Sequence, residues 1–156
     1  MSKPQFVYVT YIETTPEKLW KALTSSEFSR QYWFGSELRS DWKVGSPFAL
    51  LTDDGKITDS GEILEADPPR RLSYSFKHEF YEELRNEPTS RVTFTLEPFG
   101  SLVKLTVAHD GLVEGGKYLG AISTGWPAIL SGLKSLLETG KVLAIPRAAL
   151  GKKEWK

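Results

Sequence analysis

The sequence predicts an α+β fold: a curved antiparallel sheet of about six to seven strands wrapped around a long C-terminal helix, with two short helices after the first strand. Three observations carry this. Lys117 to Gly140 places Leu119, Ile122, Trp126, Ile129, Leu130, Leu133, Leu136 and Leu137 at steps of three and four, the spacing of one helical face. Upstream, runs of alternating apolar and polar residues follow one another across short turns, which favours antiparallel pairing. Between the first of these runs and the rest lie two short stretches with helix-start signals.

Taken in order, Phe6 to Glu13 (FVYVTYIE) is rich in β-branched and aromatic residues and reads as a strand. Phe6, Tyr8, Thr10 and Ile12 share one face and Val7, Val9 and Tyr11 the other, so both faces are expected to be at least partly covered. Thr15 can cap a helix that opens with Pro16 and Glu17 and buries Leu19, Trp20 and Leu23. Ser25-Ser26-Glu27 opens a second helix, ending near Tyr32 in the aromatic corner Trp33-Phe34-Gly35. Glu37–Ser40 and Pro47–Thr52 are strands, and Asp53-Asp54-Gly55 is a hairpin turn into a strand from Lys56 to Ala66. Gly61 is the expected site of a bulge or bend in that strand. Arg70–His78 alternates, with Leu72, Tyr74, Phe76 and His78 on one side. Glu79–Pro88 is acidic and reads as a solvated connection with at most one helical turn, or else as a cover for a cavity mouth. Arg91–Glu97 and Leu102–Asp110 are the last strands. The long helix would span roughly 35 Å at 1.5 Å per residue, with Gly140 as a left-handed C-terminal cap. Pro127 should kink it or begin a second segment. Gly120, Gly125 and Gly132 either permit close packing or leave gaps that shape a cavity.

Length argues for a single domain, 1–141, followed by a basic tail at 142–156. Twenty acidic and twenty basic residues cancel, so no global charge favours nucleic acid or an anionic membrane. The absence of cysteine excludes disulfides, thiol catalysis and thiolate metal sites. There is no signal-peptide pattern and no apolar run of membrane-spanning length, and the expected location is the cytoplasm. Five tryptophans, six tyrosines and eight phenylalanines form the most distinctive part of the composition.

Several motifs, in this order, resemble a known family. They are Ile12 with Thr15-Pro16-Glu17-Lys18-Leu19-Trp20; Tyr32-Trp33; Trp42 through Phe48; Gly61-Glu62-Ile63-Leu64-Glu65 with Asp67 through Leu72; Val107 through Gly111; and Gly125-Trp126. Over Phe6 to Lys141 the chain resembles the C-terminal domain of the activator of the heat-shock protein 90 ATPase, within the START-like, helix-grip superfamily. The resemblance implies ligand binding between sheet and helix, or a co-chaperone role with a chaperone partner, and is compatible with a monomer or a homodimer. The sequence begins within five residues of its first strand, so the co-chaperone's separate N-terminal domain is expected to be absent.

The candidate ligand-binding residues are Trp33, Phe34, Phe48, Tyr74, Phe76, His78, Phe94, Trp126 and Leu130. Together they would form either a ring-lined pocket for a hydrophobic small molecule or a solid core. His78 and His109 lack metal-ligand spacing, so neither a metal nor any cofactor is expected. His109 reads as a structural residue bonded into the turn at Asp110-Gly111. Glu65 either points inward as an acid or base or pairs on the surface with Arg70 or Arg71, and the surface pairing is favoured. No nucleophile elbow is present. A cyclase- or hydratase-type enzyme using Tyr74, His78 or Glu65 would need a close inward acid–base pair, and the spacing reveals none.

Overall fold

The computed structural model describes residues 5–146. Seven strands form one antiparallel sheet in the order β1-β7-β6-β5-β4-β3-β2. They are β1 (Phe6–Ile12), β2 (Glu37–Ser40), β3 (Pro47–Leu51), β4 (Ile57–Asp67), β5 (Arg71–His78), β6 (Ser90–Phe99) and β7 (Leu102–Asp110). Helices α1 (Pro16–Thr24) and α2 (Ser26–Tyr32) follow β1, the single turn α3 (Glu82–Arg85) follows β5, and α4 (Lys117–Thr139) is the last element among the described residues. The basic-tail reading falls largely on residues outside those described, while Lys141–Pro146 carries no helix or strand.

Each element forms where its local chemistry asks for it. The Thr15 hydroxyl accepts from the Lys18 N–H at 3.2 Å, and Pro16 opens α1. Gly140 adopts φ +81° and donates its N–H to the Leu136 carbonyl, closing α4. Pro127 lies inside α4, which runs through it as one helix; no second segment begins there. Gly132 is a close-packing glycine, facing the Tyr32 backbone of α2, whereas nothing lies within 4 Å of a side chain built at Gly120 or Gly125.

The β4 strand departs from the expectation. The register shifts fall between Ile63 and Glu65, and on the β3 side between Leu50 and Leu51, flanking Gly61 rather than falling on it. Gly61 is required for a different reason: a methyl group there would run into the Ser75 carbonyl of β5. A second difference concerns β1. Its Val7, Val9 and Tyr11 face is exposed, so only the Phe6–Ile12 side faces the core. The core fills the space between the inner sheet face and α4, joined by Leu19, Ala22 and Leu23 of α1. At the rim, Lys134 Nζ donates to the Tyr11 carbonyl at 2.6 Å, and Glu138 accepts from the Glu13 N–H at 2.8 Å, fastening α4 to the β1 edge.

Candidate functional site

A cavity of about 300 Å³ opens between the N-terminal half of α4 and the β3–β4–β5 end of the sheet. Its apolar walls come from Trp33 and Phe34 after α2, Phe76 on β5, and Ile122, Trp126 and Ile129 on α4. Gly125 also lines it, so the gap left by that glycine is part of the cavity. Trp33 and Trp126 meet edge to face with centroids 5.3 Å apart. Phe34 holds φ +50°, a backbone region that bulky residues seldom occupy, and this turns the corner of the mouth.

The candidate residues divide into two groups. Trp33, Phe34, Phe76, His78 and Trp126 line the cavity. Phe48, Tyr74, Phe94 and Leu130 are buried behind it in the core, with Phe48 and Tyr74 stacked at 4.2 Å. Burial holds the Tyr74 hydroxyl well above its ordinary pKa, with smaller contributions from Tyr32 and Asp59. Glu65 lies on the surface, accepting from Arg71 Nε at 2.8 Å, and takes no part in the site.

The polar floor contains two residues that were not candidates. Asp59, on β4, is only 6% exposed and sits directly opposite His78 in the β4–β5 register. Its Oδ2 faces His78 Nδ1 at 3.2 Å and accepts from the Tyr118 hydroxyl at 2.8 Å. His78 Nε2 accepts from the Tyr81 N–H at 2.9 Å, so Nδ1 carries the proton and donates it to Asp59. Burial, and next the charge of Asp59, keeps the Tyr118 hydroxyl far above its usual range and therefore a donor. Asp59 was overlooked because a lone aspartate after a hairpin turn reads as solvated. The signal was nonetheless present: Asp59, Gly61 and Ile63 alternate onto one face, and Tyr118, Ile122 and Trp126 recur at steps of four.

His109 is fully buried and binds across elements rather than into its own turn. Trp126 Nε1 donates to His109 Nδ1 at 3.0 Å. His109 Nε2 faces Ser90 Oγ at 2.7 Å, and that hydroxyl donates to the Phe76 carbonyl at 2.8 Å. One relay thus connects α4 to β7, β6 and β5. Burial pushes His109 down to about 4, which keeps the ring neutral and its Nδ1 free to accept.

The acidic stretch after β5 is largely exposed, as a solvated connection with one helical turn would be, yet it is anchored at a few points. Leu84 is buried, Phe80 and Tyr81 line the cavity, and Glu87 accepts from the Tyr118 N–H at 3.2 Å at the start of α4. Among the described residues no cluster of histidine and acidic side chains is placed to hold a metal. None of the helices there is long and apolar enough to cross a membrane.

Residues 13–138 match the model of the Activator of Hsp90 ATPase homolog 1-like protein family. No curated protein matches the chain. Among solved structures, the chain is similar to protein MLL2253 from Mesorhizobium loti, with 26% identity, TM-score 0.75, 89% of this chain and all of that one covered. It is similar in fold to the Aha1 dimer from Colwellia psychrerythraea, at 20% identity and TM-score 0.72, over 88% of this chain and 98% of the other. PFC0360w, described as an HSP90 activator from Plasmodium falciparum, aligns at 24% identity and TM-score 0.60, over 94% and 96% of the two chains.

Proposed function

The chain belongs to the Activator of Hsp90 ATPase homolog 1-like family, and from that premise we propose that it binds a hydrophobic small molecule between its sheet and its long helix. The observation that supports this reading is the ring-lined cavity itself. Its volume of about 300 Å³ reaches the lower end of the range for small-ligand sites. Its inner walls are apolar, Asp59, His78 and Tyr118 meet on its floor, and Asp53, Asp54 and Lys56 stand at its rim, so burial can supply affinity and directional contacts can supply orientation. Candidate contacts are Trp33, Phe34, Phe76, His78 and Trp126, with Phe48, Tyr74, Phe94 and Leu130 as the supporting layer.

The test is calorimetric titration with a neutral two-ring probe such as 1-naphthylmethanol. Binding is expected for the native protein and is expected to be lost in Ile122→Trp, which fills the cavity from α4 while its melting temperature is retained. Undiminished binding by Ile122→Trp would place the probe elsewhere and refute the reading.

A second reading, a co-chaperone acting on a chaperone ATPase, is favoured by a different observation. Val7, Val9 and Tyr11 form an exposed apolar row on the outer face of β1, continued by Phe99, whose ring packs edge-on against Tyr11 at 6.2 Å. Two of the similar folds carry Aha1 or HSP90-activator names. On this reading the protein acts through that outer face, independently of the cavity.

A further inference from the structure

We infer that the cavity selects a cation: its ligand is a flat apolar body of one or two rings carrying a protonated amine. This rests on the small-molecule reading above and names the ligand's charge.

The floor supplies the first argument. Asp59 is a buried carboxylate whose two neighbouring donors, Tyr118 Oη and His78 Nδ1, both fall on Oδ2. Oδ1 receives no hydrogen bond among the described residues. A carboxylate accepts at both oxygens and donates at neither, so the floor offers a ligand an acceptor. The histidine beside it meets Oδ2 through Nδ1 and accepts the Tyr81 N–H at Nε2, so these hydrogen bonds leave Oδ1 to the cavity.

The rim supplies the second argument. Among the described residues, the charged groups lining the cavity are Asp53, Asp54 and Asp59 against Lys56. Lys56 is engaged there, 3.8 Å from Asp54 and 5.6 Å above the Phe80 ring. The Thr52 hydroxyl holds the Asp54 carboxyl below its usual range, so this side of the mouth keeps its negative charge. A carboxylate ligand such as a fatty acid would enter past two acids, with Lys56 already beside Asp54, and end against a third that has no lysine or arginine beside it among the described residues. An ammonium would instead meet a carboxylate oxygen, in a cavity also lined by the aromatic rings of Phe76, Tyr118 and Trp126. At contact distance the attraction between two unit charges in a partly desolvated site is worth at least several-fold in affinity.

Three probes sharing one naphthalene body test this at neutral pH: 1-naphthylmethylamine, 1-naphthylmethanol and 1-naphthoic acid. Calorimetry is expected to rank amine over alcohol over acid, with amine and acid separated by about tenfold or more. Asp59→Asn keeps the shape and an acceptor for Tyr118, and should bring the three constants within about threefold of one another. Equal constants in the native protein, or an acid that binds as tightly as the amine, would overturn the cation assignment while leaving the cavity reading intact. Failure of all three probes to bind would overturn both. A charge preference that survives in Asp59→Asn would remove Asp59 as its source. If that variant does not fold, the ranking in the native protein still decides the matter.

Discussion

His109 is a polar side chain at the centre of an apolar core, and its value lies in being neutral. It accepts one hydrogen bond from Trp126 and shares another with Ser90, so both ring nitrogens are satisfied without a charge. Net, such bonds contribute about 1 kcal/mol each, but leaving either partner unpaired inside the core would cost about 1–3 kcal/mol. The pH consequence has a definite sign. The folded-state pKa lies near 4, below the ordinary 6.5. This contribution is therefore fully present above pH 6.5 and is lost as the pH falls towards 4, where the unfolded chain holds a proton that the folded one refuses. The two values differ by about 2.5 units, or about 3 kcal/mol over that window. His109→Gln retains an acceptor for Trp126 without the titration. Its stability between pH 6.5 and 4, measured by urea unfolding, should fall less steeply than that of the native protein, and parallel slopes would dismiss the assignment.

At the level of the element, two glycines have opposite functions. Gly61 sits where β4 and β5 approach so closely that a methyl group meets backbone, which cannot swing away. Gly61→Ala should destabilise by about 3 kcal/mol or more, in the manner of overpacked sites. Gly125 lies in helix α4 beside open space. Gly125→Ala should stabilise by up to about 1 kcal/mol through helix propensity and should weaken binding of the naphthyl probes by narrowing the cavity. Thermal melts of both variants check this pair, and equal destabilisation would contradict it. The bulge between Ile63 and Glu65 belongs to the same strand. It lets Ile63 face the core while Glu65 reaches Arg71 on the surface, resolving the competition for the inner face that the alternation alone left open.

For the whole molecule, the outer face of β1 decides between the cavity and the co-chaperone reading. Val9→Asp changes an exposed position and should leave stability within about 0.5 kcal/mol and probe binding unaltered. If the outer face engages a chaperone, stimulation of that chaperone's ATPase will be lost in this variant and kept in Ile122→Trp; the reverse pattern would reject the outer face. Much of the architecture was legible in the sequence. Period-two alternation and hairpin turns point to six or seven strands, of which the sheet has seven, and the helical stripe and its glycine cap specify α4, because one buried face per element leaves a direct trace in the chain. The site was less legible. Its walls were found as rings, but Asp59 becomes visible only when β4 is set beside β5, a relation between residues nineteen positions apart that local pattern does not encode. The coverage of β1 was misjudged because β-branched residues suit a solvent-facing strand as well as a buried one. One further consequence concerns time rather than affinity. The first turn of α4 has no side-chain cap of its own and is secured from elsewhere, by Glu87 at the Tyr118 amide, by Asp59 at its hydroxyl and by Glu83 at the Lys117 ammonium. Segments held by few, separable bonds open at free energies below that of global unfolding. On the cavity reading, the residence time of a bound probe would be set by the unlatching of that turn, while the sheet and the rest of the helix stay assembled.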